Sequence, residues 1–117
     1  MLFTDSLKKN RDFKRVYGHK KSAGNHLLVL YVAPNGGARN SLGISVSRKV
    51  GGAVVRNRVK RCIREQYRLH ESYLQTGYDM VVVARPMAGT LPRESISADL
   101  GAALLHLLGK HALKVKP

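Results

Sequence analysis

The chain has one cysteine, Cys62, and no tryptophan among its 117 residues. A lone thiol excludes an intrachain disulfide framework and fits a reducing compartment, so a cytoplasmic protein is expected. Long apolar runs are also missing. The longest, such as Leu27 to Ala33, fall far short of the about 20 residues that span a bilayer, and no membrane partner is expected. The opening residues, Met1-Leu2-Phe3-Thr4-Asp5, show no basic segment running into an apolar stretch, so no secretory signal is expected. Acids are the most telling shortage: 7 Asp and Glu stand against 21 Lys and Arg, a formal charge of +14. Charge of this size and sign points to a polyanionic partner, most often nucleic acid, over a solvated basic surface with no partner.

The usual catalytic patterns are lacking too. The five histidines, His19, His26, His70, His106 and His111, show neither HxxxH nor CxxC-type spacing, so no metal-ligand set is expected. No GxxxxGK[ST] loop exists, and Gly51-Gly52 alone cannot cradle a nucleotide phosphate. Cys62 reads as a packed thiol without the electropositive setting that activates a nucleophile. A catalytic site carried by this chain alone is therefore not expected.

What remains is a core-forming chain with a localised charge. Apolar residues make up 44%, enough for one domain over residues 1–117 at this length. Between Lys8 and Arg68 lie 16 basic residues and two acids, Asp12 and Glu65, whereas the rest of the chain nets zero. The whole excess belongs to one segment, unlike the mixed charge of a merely solubilised surface.

Periodicity supplies the elements. Asn10 to Tyr17 reads as a short helix with Phe13, Val16 and Tyr17 on one side, stopped by Gly18. His26 to Ala33 reads as a buried strand. From Leu42 the pattern alternates, placing Leu42, Ile44 and Val46 inward and the small Gly43, Ser45 and Ser47 outward. Val55 to about Leu74 reads as a helix whose packed side holds Val59, Cys62, Ile63, Gln66, Leu69, His70 and Tyr73. Asn57, Lys60, Arg61, Arg64 and Arg68 gather on the opposite side, flanked by Arg56 and Arg58. Only Glu65 is available to interleave with them, so the like charges repel unless a polyanion neutralises them. Tyr78 to Ala84 reads as a buried strand, making a βαβ unit with a parallel pair. Pro92 suits a helix start, after which Ile96, Leu100, Leu104 and Leu107 recur at helical spacing to about His111. The expected architecture is a small α+β sandwich in the order α-β-β-α-β-α.

Two kinds of nucleic-acid contact are open to such residues. The Arg forks can bind phosphates bidentately. Phe13, Tyr17 and Tyr31 can stack on unpaired bases, worth about 1–3 kcal/mol per base, although such rings more often fill a core.

The run from Arg48 to Glu65, with Arg56-Asn57-Arg58-Val59-Lys60-Arg61 and Arg64 at its centre, resembles the signature of the bacterial ribonuclease P protein subunit. Arg11-Asp12-Phe13 with Tyr17, Leu30-Tyr31, Gly43-Ile44-Ser45-Val46-Ser47 and the Tyr78–Arg85 strand extend the resemblance over nearly the whole chain. Tyr17 stands where phenylalanine is common in that family, which keeps a stacking face and adds a hydroxyl. The resemblance implies a protein cofactor of a ribozyme that removes the 5′ leader of precursor tRNA, with catalytic groups and Mg²⁺ mainly on the RNA. It implies that Arg56, Asn57, Arg58, Lys60, Arg61, Arg64 and Arg68 bind the RNA subunit. It further implies a leader-binding cleft with Phe13, Tyr17 and Tyr31, and with Ser47, Arg48 and Lys49 beside them. The small Gly43, Ser45 and Ser47 face would let a nucleotide chain lie close to backbone. One protein per RNA, and a monomer in isolation, are expected. Strand crossovers are right-handed in about 98% of folds, but the family fold implies a left-handed one here. A general RNA-binding module, such as a ribosomal protein without a cleavage role, is the alternative.

Overall fold

A computed structural model describes residues 1–111. The main elements keep the expected order: helix α1 (Asn10–Gly18), strands β3 (Leu28–Pro34) and β4 (Asn40–Ser45), helix α2 (Ala53–His70), strand β5 (Tyr78–Ala84) and helix α3 (Ile96–Lys110). Two short strands join them, β1 (Thr4–Ser6) and β2 (Ser22–Gly24), closing a five-stranded sheet in the order β1-β4-β5-β3-β2. The β4–α2–β5 unit is parallel as expected, with Leu42 opposite Met80 and Ile44 opposite Val82. β3 runs antiparallel to β5.

Both faces of the sheet are covered. Leu28, Leu30 and Val32 of β3, Leu42 of β4 and Met80 and Val82 of β5 form one core with α2 and α3, where Val59, Ile63, Leu100, Leu104 and Leu107 are fully buried. The opposite face carries Ala33 and Val81, capped by Val16 of α1 with Phe13, Tyr17 and Tyr31 around it. The central strands are apolar on both sides because both sides are buried.

Several details differ from the sequence reading, each for a reason outside local pattern. His26 is exposed and β3 begins at Leu28. Asn25 accepts the N–H groups of Leu27 and Leu28 at 3.1 and 2.9 Å and so makes the turn from β2. α2 ends at His70 and a 3-10 turn, Glu71–Tyr73, follows. Its packed side is rotated from the expected one: Tyr67 is wholly buried, while Leu69 and Tyr73 are 57% and 42% exposed. Tyr67 Oη lies 2.8 Å from Thr4 Oγ1, so the hydroxyl is satisfied by a strand that the apolar pattern does not reveal. Pro92 starts a turn, and the α-helix itself begins four residues later at Ile96.

Candidate nucleic-acid interface

The side chains expected to meet RNA come from three elements. On α2, Asn57, Arg61, Arg64 and Arg68 are exposed, and Arg56, Arg58 and Lys60 are half-buried. Asn57, Arg58, Arg61 and Arg68 lie on the side away from Val59, Ile63 and Tyr67, whereas Arg56 and Lys60, expected opposite or flanking the packed side, share its edge at i, i+4, i+7 and i+11 spacing with Ile63 and Tyr67. Arg68 donates to Glu65 at 2.9 Å. Among the described residues the other five cations of this helix, Arg56, Arg58, Lys60, Arg61 and Arg64, make no ion pair. Arg56 Nε is buried without a hydrogen-bond partner, a state that the oxygen of an incoming phosphate would relieve.

α1 and β3 bring the aromatic residues together. The Phe13 and Tyr17 ring centroids are 6.4 Å apart, and Tyr17 meets Tyr31 edge to face at 4.8 Å. These separations suit favourable aromatic packing. Ser47, Arg48 and Lys49 are exposed in the turn between β4 and α2, whose Val50 and Gly51 amides bond back to Ser47 and Arg48. They follow β4 in sequence, and neither they nor Tyr31 line the depressions beside Phe13 and Tyr17.

Between α1 and α2 the surface sinks into two adjoining depressions of about 270 and 470 Å³. The larger is walled by Asn10, Phe13, Lys14 and Tyr17 of α1, by Ile44, Ser45 and Val46, and by Lys60 of α2. The smaller continues past Phe13 to Ser6, Lys8 and Arg64. Phe13, Ile44 and Lys60 border both, so the two form one groove across the end of β4. Lys8, Asn10 and Lys14 were not among the expected cleft residues. Their signal in the sequence is only proximity to Phe13, with Asn10 and Lys14 within α1 and Lys8 just before it. The small β4 face is not open to a ligand at Gly43: a Cβ there would lie 2.6 Å from Phe13 Cζ. The ring fills the space that the missing side chain leaves.

Carboxylates near the groove are already engaged. The Arg15 guanidinium pairs with Asp79, which also accepts Asn35 Nδ2 at 2.9 Å, and Arg39 holds Asp5 at 3.1 Å. Glu71 is wholly buried and accepts the N–H groups of Leu2 and Phe3 at 2.6 and 3.1 Å. Burial works to raise its pKa. The Thr4 side chain, those two amides and the Met1 amino group outweigh it, holding the carboxyl below its ordinary 4.5. The smaller depression includes Met1, Ser6 and Leu7, so this clamp fixes one wall of the groove. Among the described residues no three His, Cys, Asp or Glu side chains gather as a metal set. No helix among them is long and apolar enough to cross a membrane.

Comparison with known proteins agrees on one family. Residues 1–108 match the family model Ribonuclease P. The chain is 43% identical over 113 residues to the ribonuclease P protein component of Alkaliphilus metalliredigens, covering 97% of this chain and 98% of that protein. Among solved structures, the RNase P protein of Staphylococcus aureus superposes with a TM-score of 0.83 at 35% identity, covering 93% of this chain and 96% of that one. The RNase P protein of Thermotoga maritima superposes with a TM-score of 0.78 at 32% identity, over 91% and 96% of the two chains.

Proposed function

Because the chain belongs to the ribonuclease P protein family, whose members are components of a tRNA-processing ribonucleoprotein, we propose that it binds two RNAs at once. The α2 face, with Arg56, Asn57, Arg58, Lys60, Arg61, Arg64 and Arg68, docks on the catalytic RNA. The groove beside Phe13, Tyr17 and Tyr31 holds the single-stranded 5′ leader of precursor tRNA, and Ser47, Arg48 and Lys49 contact its phosphates as it leaves. One protein serves one RNA, the free protein is a monomer, and the complex works in the cytoplasm.

The observation that carries this reading is the groove itself: an aromatic wall, a cationic wall, and Phe13, Ile44 and Lys60 common to its two parts. Its lining suits a single strand, with stacking on the α1 side and phosphate neutralisation on the α2 side. The carboxylates of Asp79, Asp5 and Glu71 are turned to Arg15, Arg39 and backbone amides, and Asp12 on α1 has no second carboxylate gathered with it in a metal set among the described residues. The residues therefore do not fit a metal site, and the Mg²⁺ of the reaction belongs mainly to the RNA in this reading. The protein's part is electrostatic and positional: it lowers phosphate repulsion between two RNAs and orients the leader.

Cleavage of precursor tRNA at low Mg²⁺ tests this, with protein alone, bacterial ribonuclease P RNA alone, and the mixture. Only the mixture is expected to release the leader. Equal cleavage by RNA with and without the chain would reduce the protein to a general RNA-binding module. Cleavage by the chain alone would place a nuclease site within it.

A further inference from the structure

We propose that the backbone of β4 at Ile44 pairs with a ribose 2′-hydroxyl of the strand in the groove, so that the site selects RNA over DNA without reading a base. This rests on the reading that the leader lies in the groove. It adds a contact made by main chain where that reading uses only side chains.

The direction of the Ile44 peptide groups follows from the sheet register. β1 runs parallel to β4 only as far as Ser6 opposite Leu42. Asn40 N–H donates to Phe3 C=O at 2.9 Å, and Leu7 N–H donates to Leu42 C=O at 3.0 Å. In a strand the N–H and C=O of one residue point the same way and alternate along the chain. Asn40 and Leu42 therefore face β1, whereas Ser41, Gly43 and Ser45 face β5. Ile44 falls in the outward set. The chain that would have continued β1 turns away after Leu7 and enters α1 at Asn10. Among the described residues no backbone partner faces the N–H and C=O of Ile44.

That open edge lies at the centre of the groove, since Ile44 borders both of its parts beside Phe13 and Lys60. An unpaired edge invites another strand. Here the rim carries Lys8, Lys60 and Arg64 and a phenyl ring, which suits a chain bearing one negative charge and one stackable base per unit. A ribose 2′-hydroxyl is donor and acceptor in one atom, so it can take the Ile44 N–H and give its own proton to the Ile44 C=O. DNA has no group at that position.

The experiment measures precursor and mature tRNA affinity of the holoenzyme reconstituted from this chain and ribonuclease P RNA. Single 2′-deoxy substitutions are scanned through the leader, leaving out the nucleotide at the cleavage site. One leader position is expected to lose about two- to tenfold in affinity, the worth of one net hydrogen bond. Ile44→Pro deletes the outward N–H and leaves the ladder to β5 intact. It should cause a loss no larger than the 2′-deoxy change, and the sensitive 2′-deoxy position should cost clearly less in that variant than in the unaltered chain, since only the bond to the Ile44 C=O is left to lose. Ile44→Val, which keeps the peptide group, should retain the full 2′-deoxy penalty at the sensitive position, whatever the trimmed side chain does to overall affinity. If Ile44→Pro fails to fold, replacing the Ile44 amide by an ester removes the same N–H with the side chain retained. A flat 2′-deoxy scan, or losses that simply add, overturns the Ile44 contact while a Phe13→Ala effect keeps the leader in the groove. No effect of Phe13→Ala on precursor affinity removes the leader from the groove and the Ile44 contact with it.

Discussion

A Cβ at Gly43 would meet Phe13 Cζ and Cε1 at 2.6 and 2.8 Å and Leu7 Cβ at 3.3 Å. The floor of the groove and the ring on its wall are thus set by one missing side chain. The Phe13 ring is the far end of a flexible side chain, so Gly43→Ala should move the ring and leave the strand in place. The expected cost in stability is about 1–3 kcal/mol, the range for an overpacked site. Precursor tRNA affinity should fall on the order of tenfold through lost stacking, with mature tRNA affinity unchanged. Denaturant unfolding and equilibrium binding of both tRNAs check this, and equal losses for the two would deny Phe13 its role with the leader. Phe13 and Tyr17 were legible from their i, i+4 spacing, and Gly43 was legible as part of a small strand face. That the first occupies the space beside the second was not, because nothing local places α1 over that face.

At the scale of elements, the long periodic segments were legible and the short ones were not. Thr4-Asp5-Ser6 and Ser22-Ala23-Gly24 have no apolar alternation. They are strands only because β4 and β3 offer them edges, with Thr4 opposite Asn40 and Ala23 opposite Leu30. The rotation of α2 was misread for a related reason: Tyr67 owes its burial partly to Thr4, a partner 63 residues away. Two titratable side chains tie such ends down. Glu71, just after α2, holds the amides that lead into β1. His111, just after α3, donates from Nε2 to Leu30 C=O at 3.1 Å. Burial holds the His111 imidazole below its ordinary 6.5, aided by Lys21 and opposed by the Leu30 bond. Both depressed groups bind protons more readily in the unfolded chain, so each stabilises the fold above its ordinary pKa and less as pH falls. Stability should therefore begin to fall below about pH 6.5 through His111, and again below about pH 4.5 through Glu71. His111→Gln should flatten the first decline. Glu71→Gln should flatten the second and cost about 1–3 kcal/mol at neutral pH. Thermal unfolding across pH 2.5 to 8 for the three proteins reads both, and unaltered profiles would dismiss the two tethers.

For the molecule as a whole, the charge of +14 is what the proposed binding of two RNAs at close quarters would call for. Among the described residues only three ion pairs use it, those of Arg15, Arg39 and Arg68. On α2 the cations Arg56, Arg58, Lys60, Arg61 and Arg64 are left to repel one another. This repulsion opposes folding of the free protein and is released when phosphates replace the neighbours' solvent, so affinity and salt dependence should rise together. Each phosphate neutralised contributes about −0.7 to −0.9 to the slope of log affinity against log salt. Replacing Arg56, Arg61 and Arg64 together by alanine should then make the slope for ribonuclease P RNA shallower by about 2 to 3 and abolish assembly at physiological salt. Alanine favours the helix and the substitutions relieve repulsion, so the fold should survive, as circular dichroism would report. Lys60 stands on both the α2 face and the groove, and Lys60→Ala should weaken RNA-subunit and precursor binding alike. Titrations of each ligand at several salt concentrations separate these effects. A triple variant with the original slope would move the RNA-subunit interface off this helix, and the unpaired charge of α2 would need another polyanion to explain it.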